Sequence, residues 1–146
     1  MALKQISVFL ENKPGTLSEM TGALAAANID MRALSLAETK DFGIARLIAD
    51  DVYKASNALK DAGFVNSLTS VVGAMIPDEP GGLDKLLKIF HEANINLEYM
   101  YAFLGGDSVD HAYMIFRVGK EMEKEADAVL AAHGIRVLTQ EDVNQI

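Results

Sequence analysis

The chain contains an internal repeat. Residues 6–17 align with residues 72–83 at a shift of 66 positions, and both segments carry Pro-Gly near their end. At the same shift, the Ala-Asn-Ile run at residues 27–29 aligns with the Ala-Asn-Ile run at residues 93–95. A chain of 146 residues is short enough to form one ordinary domain or two small ones, so the repeat decides between these alternatives. It predicts two copies of one unit, at residues 1–70 and 71–146, with almost no linker.

Each copy carries the same order of hydrophobic patterns. Strands alternate apolar and polar residues, as Ile6, Val8 and Leu10 do, whereas helices repeat their apolar residues every three or four positions. The predicted order is strand, helix, strand, strand, helix, strand in both units. This order predicts an α+β fold of two tandem ferredoxin-like βαββαβ domains, each an antiparallel sheet with both helices on one face. The predicted elements cover residues 4–11, 15–27, 30–38, 44–50, 52–62 and 64–70, then 71–76, 82–93, 97–104, 112–118, 120–133 and 135–139.

Composition removes several classes of function. The formal net charge of −8 opposes binding to the phosphate backbone of a nucleic acid. Because the chain has no cysteine, disulfides, thiolate metal sites and thiol nucleophiles are excluded. No apolar run approaches the length of a membrane span, and the N-terminus lacks the pattern of a secretory leader. We therefore expect a cytoplasmic protein without membrane or nucleic-acid partners.

The first turn of each unit carries the most specific motif. Residues 11–17 read Glu-Asn-Lys-Pro-Gly-Thr-Leu and are followed, after a helix, by Asn-Ile-Asp at residues 28–30. Residues 77–83 and 94–96 form a weaker copy. Together with the element order, these motifs resemble the ACT domain over essentially the whole chain. The resemblance implies a regulatory protein that binds a free amino acid at the strand-to-helix turn, at an interface between ACT units, with no catalytic centre, cofactor or metal.

Physical chemistry supports that position for a ligand. A helix that starts after Pro-Gly presents unpaired N–H groups and a favourable dipole to a carboxylate. In the best-characterised site of the family, one asparagine before the proline and another at the start of the second strand hold the ligand. Leu10 and Ile76 stand where that site has a histidine, which argues against serine as the effector. The predicted ligand-binding residues are Asn12, Pro14, Gly15, Thr16, Leu17 and Asp30 in the first unit, and Asp78, Pro80, Gly81, Gly82, Leu83 and Asn96 in the second.

The sheet faces opposite the helices differ between the two units. Alternation places Leu97, Tyr99, Tyr101 and Phe103 on this open face of the second unit, with Met100, Ala102 and Leu104 on the helix side. The matching open-face residues of the first unit are Met31, Ala33, Ser35 and Ala37. Because a row of large apolar groups rarely faces water, we expect another sheet to cover them, within the chain or in a homodimer.

Other interpretations remain open. Asn and Asp beside Pro-Gly are also ordinary turn formers, so the chain could be a structural or protein-interaction module without a small ligand. An enzyme of the acylphosphatase type would need an arginine in the first turn, and neither turn has one. The acidic composition also disfavours an RNA-binding sheet. The sequence spacing of His91, His111 and His133 suits neither a metal site nor a triad, so we predict structural or surface roles for them. If the chain binds an amino-acid effector, we expect a separate enzyme or regulator to respond to that binding.

Overall fold

The computed structural model describes residues 2–104 and 110–146. The chain divides into two compact units, one of residues 4–69 and one of residues 70–146 together with the start of the chain up to Leu3. The predicted α+β architecture, with antiparallel strands and the βαββαβ order in each unit, is confirmed.

The first unit is built around its opening strand. Strand β1 (Leu3–Glu11) lies beside β3 (Phe42–Ala49), and β3 lies beside β2 (Met31–Glu38), all antiparallel. On the other side of β1, the Phe9 N–H donates to the carbonyl oxygen of Val65 at 3.0 Å. One face of β1, with Ile6, Val8 and Leu10, packs against the two helices in a single core. The elements are β1 (Leu3–Glu11), α1 (Thr16–Ala26), β2 (Met31–Glu38), β3 (Phe42–Ala49), α2 (Val52–Asp61) and the start of β4 (Asn66–Pro77).

The second unit follows the same plan. Strand β4 lies between β6 (His111–Val118) and β7 (Arg136–Leu138), and β5 (Leu97–Ala102) pairs with β6. Its core contains Phe90 and Phe116, whose rings meet edge to face with centroids 5.6 Å apart. The elements after β4 are α3 (Gly82–Glu92), β5 (Leu97–Ala102), β6 (His111–Val118), a 3₁₀ turn (Lys120–Met122), α4 (Glu123–Ala132), β7 (Arg136–Leu138) and α5 (Gln140–Val143).

The structure differs from the predicted elements in three places. The expected strands at 64–70 and 71–76 are one strand of 12 residues, β4, because no Gly-Pro or Asn-Gly signal interrupts residues 66–72. The predicted helix at 120–133 begins with a 3₁₀ turn and becomes α-helical at Glu123. The short helix α5 was not predicted. It begins at Thr139, whose hydroxyl accepts from the Asp142 N–H in a capping box.

Two of the predicted open-face residues lie on the helix side. The pairing of β2 with β3 shifts between Met31 and Ala33, and that of β5 with β6 shifts between Leu97 and Tyr99. Met31 and Leu97 therefore pack against the two cores, since an extra residue in a strand reverses the alternation beyond it. Of the remaining large groups, Tyr101 is 8% exposed, and Tyr99 and Phe103 are partly buried.

Candidate functional site

The two Pro-Gly turns share an unusual backbone conformation. Gly15 has a φ of 90° and Gly81 a φ of 85°, in the left-handed region that residues with a Cβ rarely adopt. Pro14 and Pro80 immediately precede them, and α1 and α3 immediately follow. The predicted glycines are therefore required by the turn itself, whatever else they do.

The helices after these turns lack side-chain caps. Neither Gly15 nor Gly81 can offer a side-chain acceptor to the first N–H groups of α1 and α3. By contrast, α2 is capped by Asp51, whose Oδ1 accepts from the Lys54 N–H at 3.1 Å. The uncapped ends of α1 and α3 leave backbone donors for water or for an anionic group of a ligand.

Thr16 is the first residue of α1 and is only 8% exposed. Within the part of the chain that the structure describes, its buried Oγ1 has no hydrogen-bond partner. A buried hydroxyl without a partner costs free energy, so such a group commonly serves an additional polar group. Gly82 is its counterpart in the second unit. A Cβ at Gly82 would collide with the carbonyl oxygen of Pro77, so the second turn has no room for a similar side chain.

A cavity of about 330 Å³ lies beside the first turn, between the end of β1, the start of α1 and the β2–β3 hairpin. Asn12 joins its walls, since its Nδ2 donates to Glu38 Oε2 at 2.9 Å and to the carbonyl oxygen of Thr39 at 3.2 Å. The lining residues are Leu10, Glu11, Asn12, Lys13, Leu17, Leu36, Glu38 and Gly43.

Charges of both signs meet at this cavity. Lys13 Nζ lies 3.0 Å from Glu11 Oε2. The hydrogen bond that Lys13 donates to Glu11, and the negative charge of Glu11, raise the pKa of Lys13 above the usual 10.5, so the lysine stays cationic. Lys13 and Glu38 were missed as site residues. Glu38 reaches the cavity only because the hairpin folds back onto β1, and sequence spacing gives no signal of that.

Within a unit, the structure does not bring the two halves of the predicted site together. Asp30 lies at the far end of α1 from Gly15, and 11 residues of helix span about 16 Å. Its Oδ2 accepts from Arg32 Nη1 at 2.8 Å, and its N–H donates to Asp50 Oδ1 at 3.1 Å. Asn96 is likewise separated from Gly81 by α3.

A second cavity, of about 400 Å³, lies in the second unit between the end of β4, α3 and the start of β7. Of the predicted ligand-binding residues, Gly82 is among those that line it, whereas Asp78, Pro80, Gly81 and Leu83 are not. Two of the three histidines, His111 and His133, both line this cavity although they are far apart in sequence. The other lining residues are Met75, Ile76, Pro77, Lys85, Leu86, Ile89, Gly134, Ile135 and Arg136.

Two kinds of feature are absent from residues 2–104 and 110–146. In that part of the chain, no group of three or more His, Asp or Glu side chains could hold a metal ion. None of its helices is long and apolar enough to cross a membrane.

The chain is similar to several solved structures. Protein BT0572 from Bacteroides thetaiotaomicron is 38% identical, with a TM-score of 0.90 over 100% of this chain and 98% of that one. The regulatory subunit of aspartate kinase from Thermus thermophilus, in its ligand-free form, is 16% identical with a TM-score of 0.65, over 90% of this chain and 93% of that one. At that identity the likeness shows a shared fold. No curated protein matches the chain significantly.

A family model described as "ACT domain pair" matches residues 1–146. It covers both repeats, both Pro-Gly turns and both cores. The chain belongs to the family of ACT domain pairs.

Proposed function

We propose that this ACT domain pair is a non-catalytic regulatory protein that binds a free amino acid at its first Pro-Gly turn. The observation that carries the proposal is the buried hydroxyl of Thr16 at the uncapped start of α1, which has no hydrogen-bond partner among the described residues. A bound carboxylate would accept from this hydroxyl and from N–H groups of the first turn of α1 other than that of Thr16, which donates to the Lys13 carbonyl oxygen at 3.4 Å.

The adjacent cavity matches the remaining parts of an amino acid. An α-ammonium group finds acceptors in the carboxylate of Glu38 and in Asn12 Oδ1, because the Nδ2 donors of Asn12 are used by the hairpin. The cationic Lys13 adds a second favourable charge for the carboxylate. Leu10, Leu17 and Leu36 supply an apolar wall for the side chain. We therefore expect an apolar amino acid rather than serine as the effector.

Asp30 and Asn96 would contact the ligand only in an assembly of ACT units. Each lies at the opposite end of its helix from the turn of the same unit, so it would serve a ligand held at a turn of another ACT unit. We propose a homodimer on this ground. Phe9, Leu36 and Phe42 are 51%, 51% and 63% exposed in the single chain, which supports burial of this side of the first unit in an assembly.

A regulatory output would reside in a separate protein. The neighbour from Thermus thermophilus is a regulatory subunit of an enzyme, and we extend that arrangement to this chain as a proposal. Ligand binding would change the packing of ACT units, and a partner enzyme or regulator would respond to that change.

A thermal-shift screen of the proteinogenic amino acids at millimolar concentration tests the proposal, because a ligand that binds the native state raises its apparent stability. We expect one or a few related amino acids to raise the midpoint. Thr16→Val should reduce that shift strongly. Thr21→Val is the matched control, since the Thr21 hydroxyl already donates to the Ser18 carbonyl oxygen.

If no amino acid raises the midpoint of the folded protein, the proposal fails. The exposed apolar side chains of the first unit then favour the alternative of a protein-interaction module without a small ligand. Light scattering coupled to size-exclusion chromatography tests the homodimer separately, and a monomer mass at tens of micromolar would exclude it.

A further inference from the structure

The cavity of the second unit differs in chemistry from the cavity at the first turn. Its interior is apolar, with Met75, Ile76, Leu86, Ile89 and Ile135. Its remaining polar lining comes from four basic or titratable side chains: Lys85, His111, His133 and Arg136. No carboxylate is among the described residues that line it, although the chain as a whole carries a net charge of −8.

These four side chains are not equally engaged. Arg136 Nη2 donates to Asp142 Oδ1 at 2.7 Å, so its charge is largely compensated. The Nδ1 atom of His133 lies 2.8 Å from the carbonyl oxygen of Val129, which fixes the ring at the end of α4. Lys85 and His111 form no ion pair or side-chain hydrogen bond in the described part of the chain. Among the described residues that line this cavity, Lys85 therefore carries the uncompensated positive charge.

We propose that this cavity binds a small monocarboxylate with an aliphatic chain and no ammonium group. The aliphatic chain would lie on the apolar interior, and the carboxylate would meet Lys85, with His111 as a further donor. An α-ammonium group would be repelled, because the lining offers cations where the first-turn cavity offers Glu11 and Glu38.

The cavity volume of about 400 Å³ falls in the range of sites for small organic ligands. The site lies wholly within residues 70–146. It goes beyond the proposed amino-acid function, because it uses different residues, lies in the other unit and selects against a zwitterion.

Isothermal titration of the full-length protein with 4-methylpentanoate tests the proposal. We expect saturable binding, and we expect 4-methylpentanamide, which has the same shape without the charge, to bind at least tenfold more weakly. Leucine, which has the same carbon branching plus an ammonium group, should not compete. Equal binding of the acid and the amide, competition by leucine, or no binding of the acid would each overturn the proposal.

A pair of lysine variants locates the site. Lys85→Met should weaken binding of 4-methylpentanoate about tenfold, the loss of one charge-assisted contact. Lys88→Met is the matched control on the same helix, since Lys88 Nζ pairs with Asp84 Oδ2 at 2.8 Å. Both lysines are exposed, so both variants should fold. An equal loss of affinity in the two variants would show general attraction by surface charge and would refute the assignment.

Discussion

Gly81 and Gly82 are adjacent but are required for different physical reasons. Gly81 has a φ of 85° and open space around its missing Cβ, so a side chain there would strain the backbone alone. Gly82 has helical geometry, yet a Cβ would collide with the carbonyl oxygen of Pro77. We expect Gly81→Ala to cost about 1 kcal/mol of unfolding free energy and Gly82→Ala to cost about 2–3 kcal/mol.

Urea denaturation of the two variants measures this difference. The backbone carbonyl that Gly82 approaches is part of β4 and cannot rotate away as a side-chain end can. If Gly82→Ala proved the milder substitution, the turn between β4 and α3 would have to open at little cost, which would contradict the close approach.

Asp142 couples the stability of the C-terminal end to pH. Its Oδ2 accepts from the Thr139 N–H at 2.8 Å, and its Oδ1 accepts from Arg136. The backbone hydrogen bond, followed by the Arg136 contact, lowers the pKa of Asp142 from its ordinary 3.8. A lowered folded-state pKa contributes stability above the unfolded-state value, and this stability is lost as the pH falls through the folded-state pKa.

Asp142→Ala should therefore cost about 1 kcal/mol at neutral pH, as loss of a helix cap does. The difference from the unsubstituted protein should shrink as the pH falls below 3.8. Chemical denaturation at a series of pH values measures it, with Glu92→Ala as the control because Glu92 is an exposed carboxylate at the end of α3. A deficit that stayed constant across that pH range would refute a role for the ionised carboxylate.

The candidate site was predicted only in part at the level of residues. The motif gave the turn glycines, Thr16 and Asn12, because a Pro-Gly turn before a helix has a strong local signature. It did not give Glu38, Lys85 or Arg136, which reach the cavities through strand pairing and helix packing. His111 and His133 line the same cavity because of where β6 and β7 begin relative to β4, and no local spacing encodes that.

Helix α2 offers a test at the level of a single element. Asp51 caps its N-terminus, whereas Asp61 lies at its C-terminal end, where a negative charge opposes the helix dipole. Asp51→Ala should lower the unfolding free energy by about 1 kcal/mol, while Asp61→Ala should leave it unchanged or raise it by a few tenths of a kcal/mol. Equal losses in urea denaturation would show that charge removal, rather than capping, governs this helix.

The element order was predictable because apolar periodicity is set by which residues must be buried. The face of a strand was less predictable. Alternation identified β2 and β5 correctly, but the register shifts near Arg32 and Glu98 move Met31 and Leu97 to the helix side. A bulge is a property of two paired strands, so a pattern read along one strand cannot show it.

At the scale of the whole molecule, the internal repeat was the main basis for predicting the fold. Because the two copies align without a gap over their first halves, a strand or helix assigned in one copy can be checked against the same segment of the other copy. The shared strand β4 was missed for the same reason, since treating each copy separately imposes a boundary where the chain continues as one strand.

The two cores provide matched substitutions for asking whether the units unfold separately. Leu59 and Leu130 occupy corresponding positions in α2 and α4, and each is fully buried, one in each core. Leu59→Ala and Leu130→Ala should each cost about 2–5 kcal/mol within their own core.

Amide hydrogen exchange measures the loss of stability in each unit separately. Because local stability follows contiguous cooperative regions, we expect Leu59→Ala to accelerate exchange mainly within residues 4–69 and Leu130→Ala mainly within residues 70–146. If either substitution accelerated exchange equally in both ranges, the two units would unfold as one cooperative structure. Ligand binding at one turn would then stabilise the entire chain. A thermal shift alone could no longer show which unit binds the ligand. The control variants at Thr21 and Lys88 are needed for this reason.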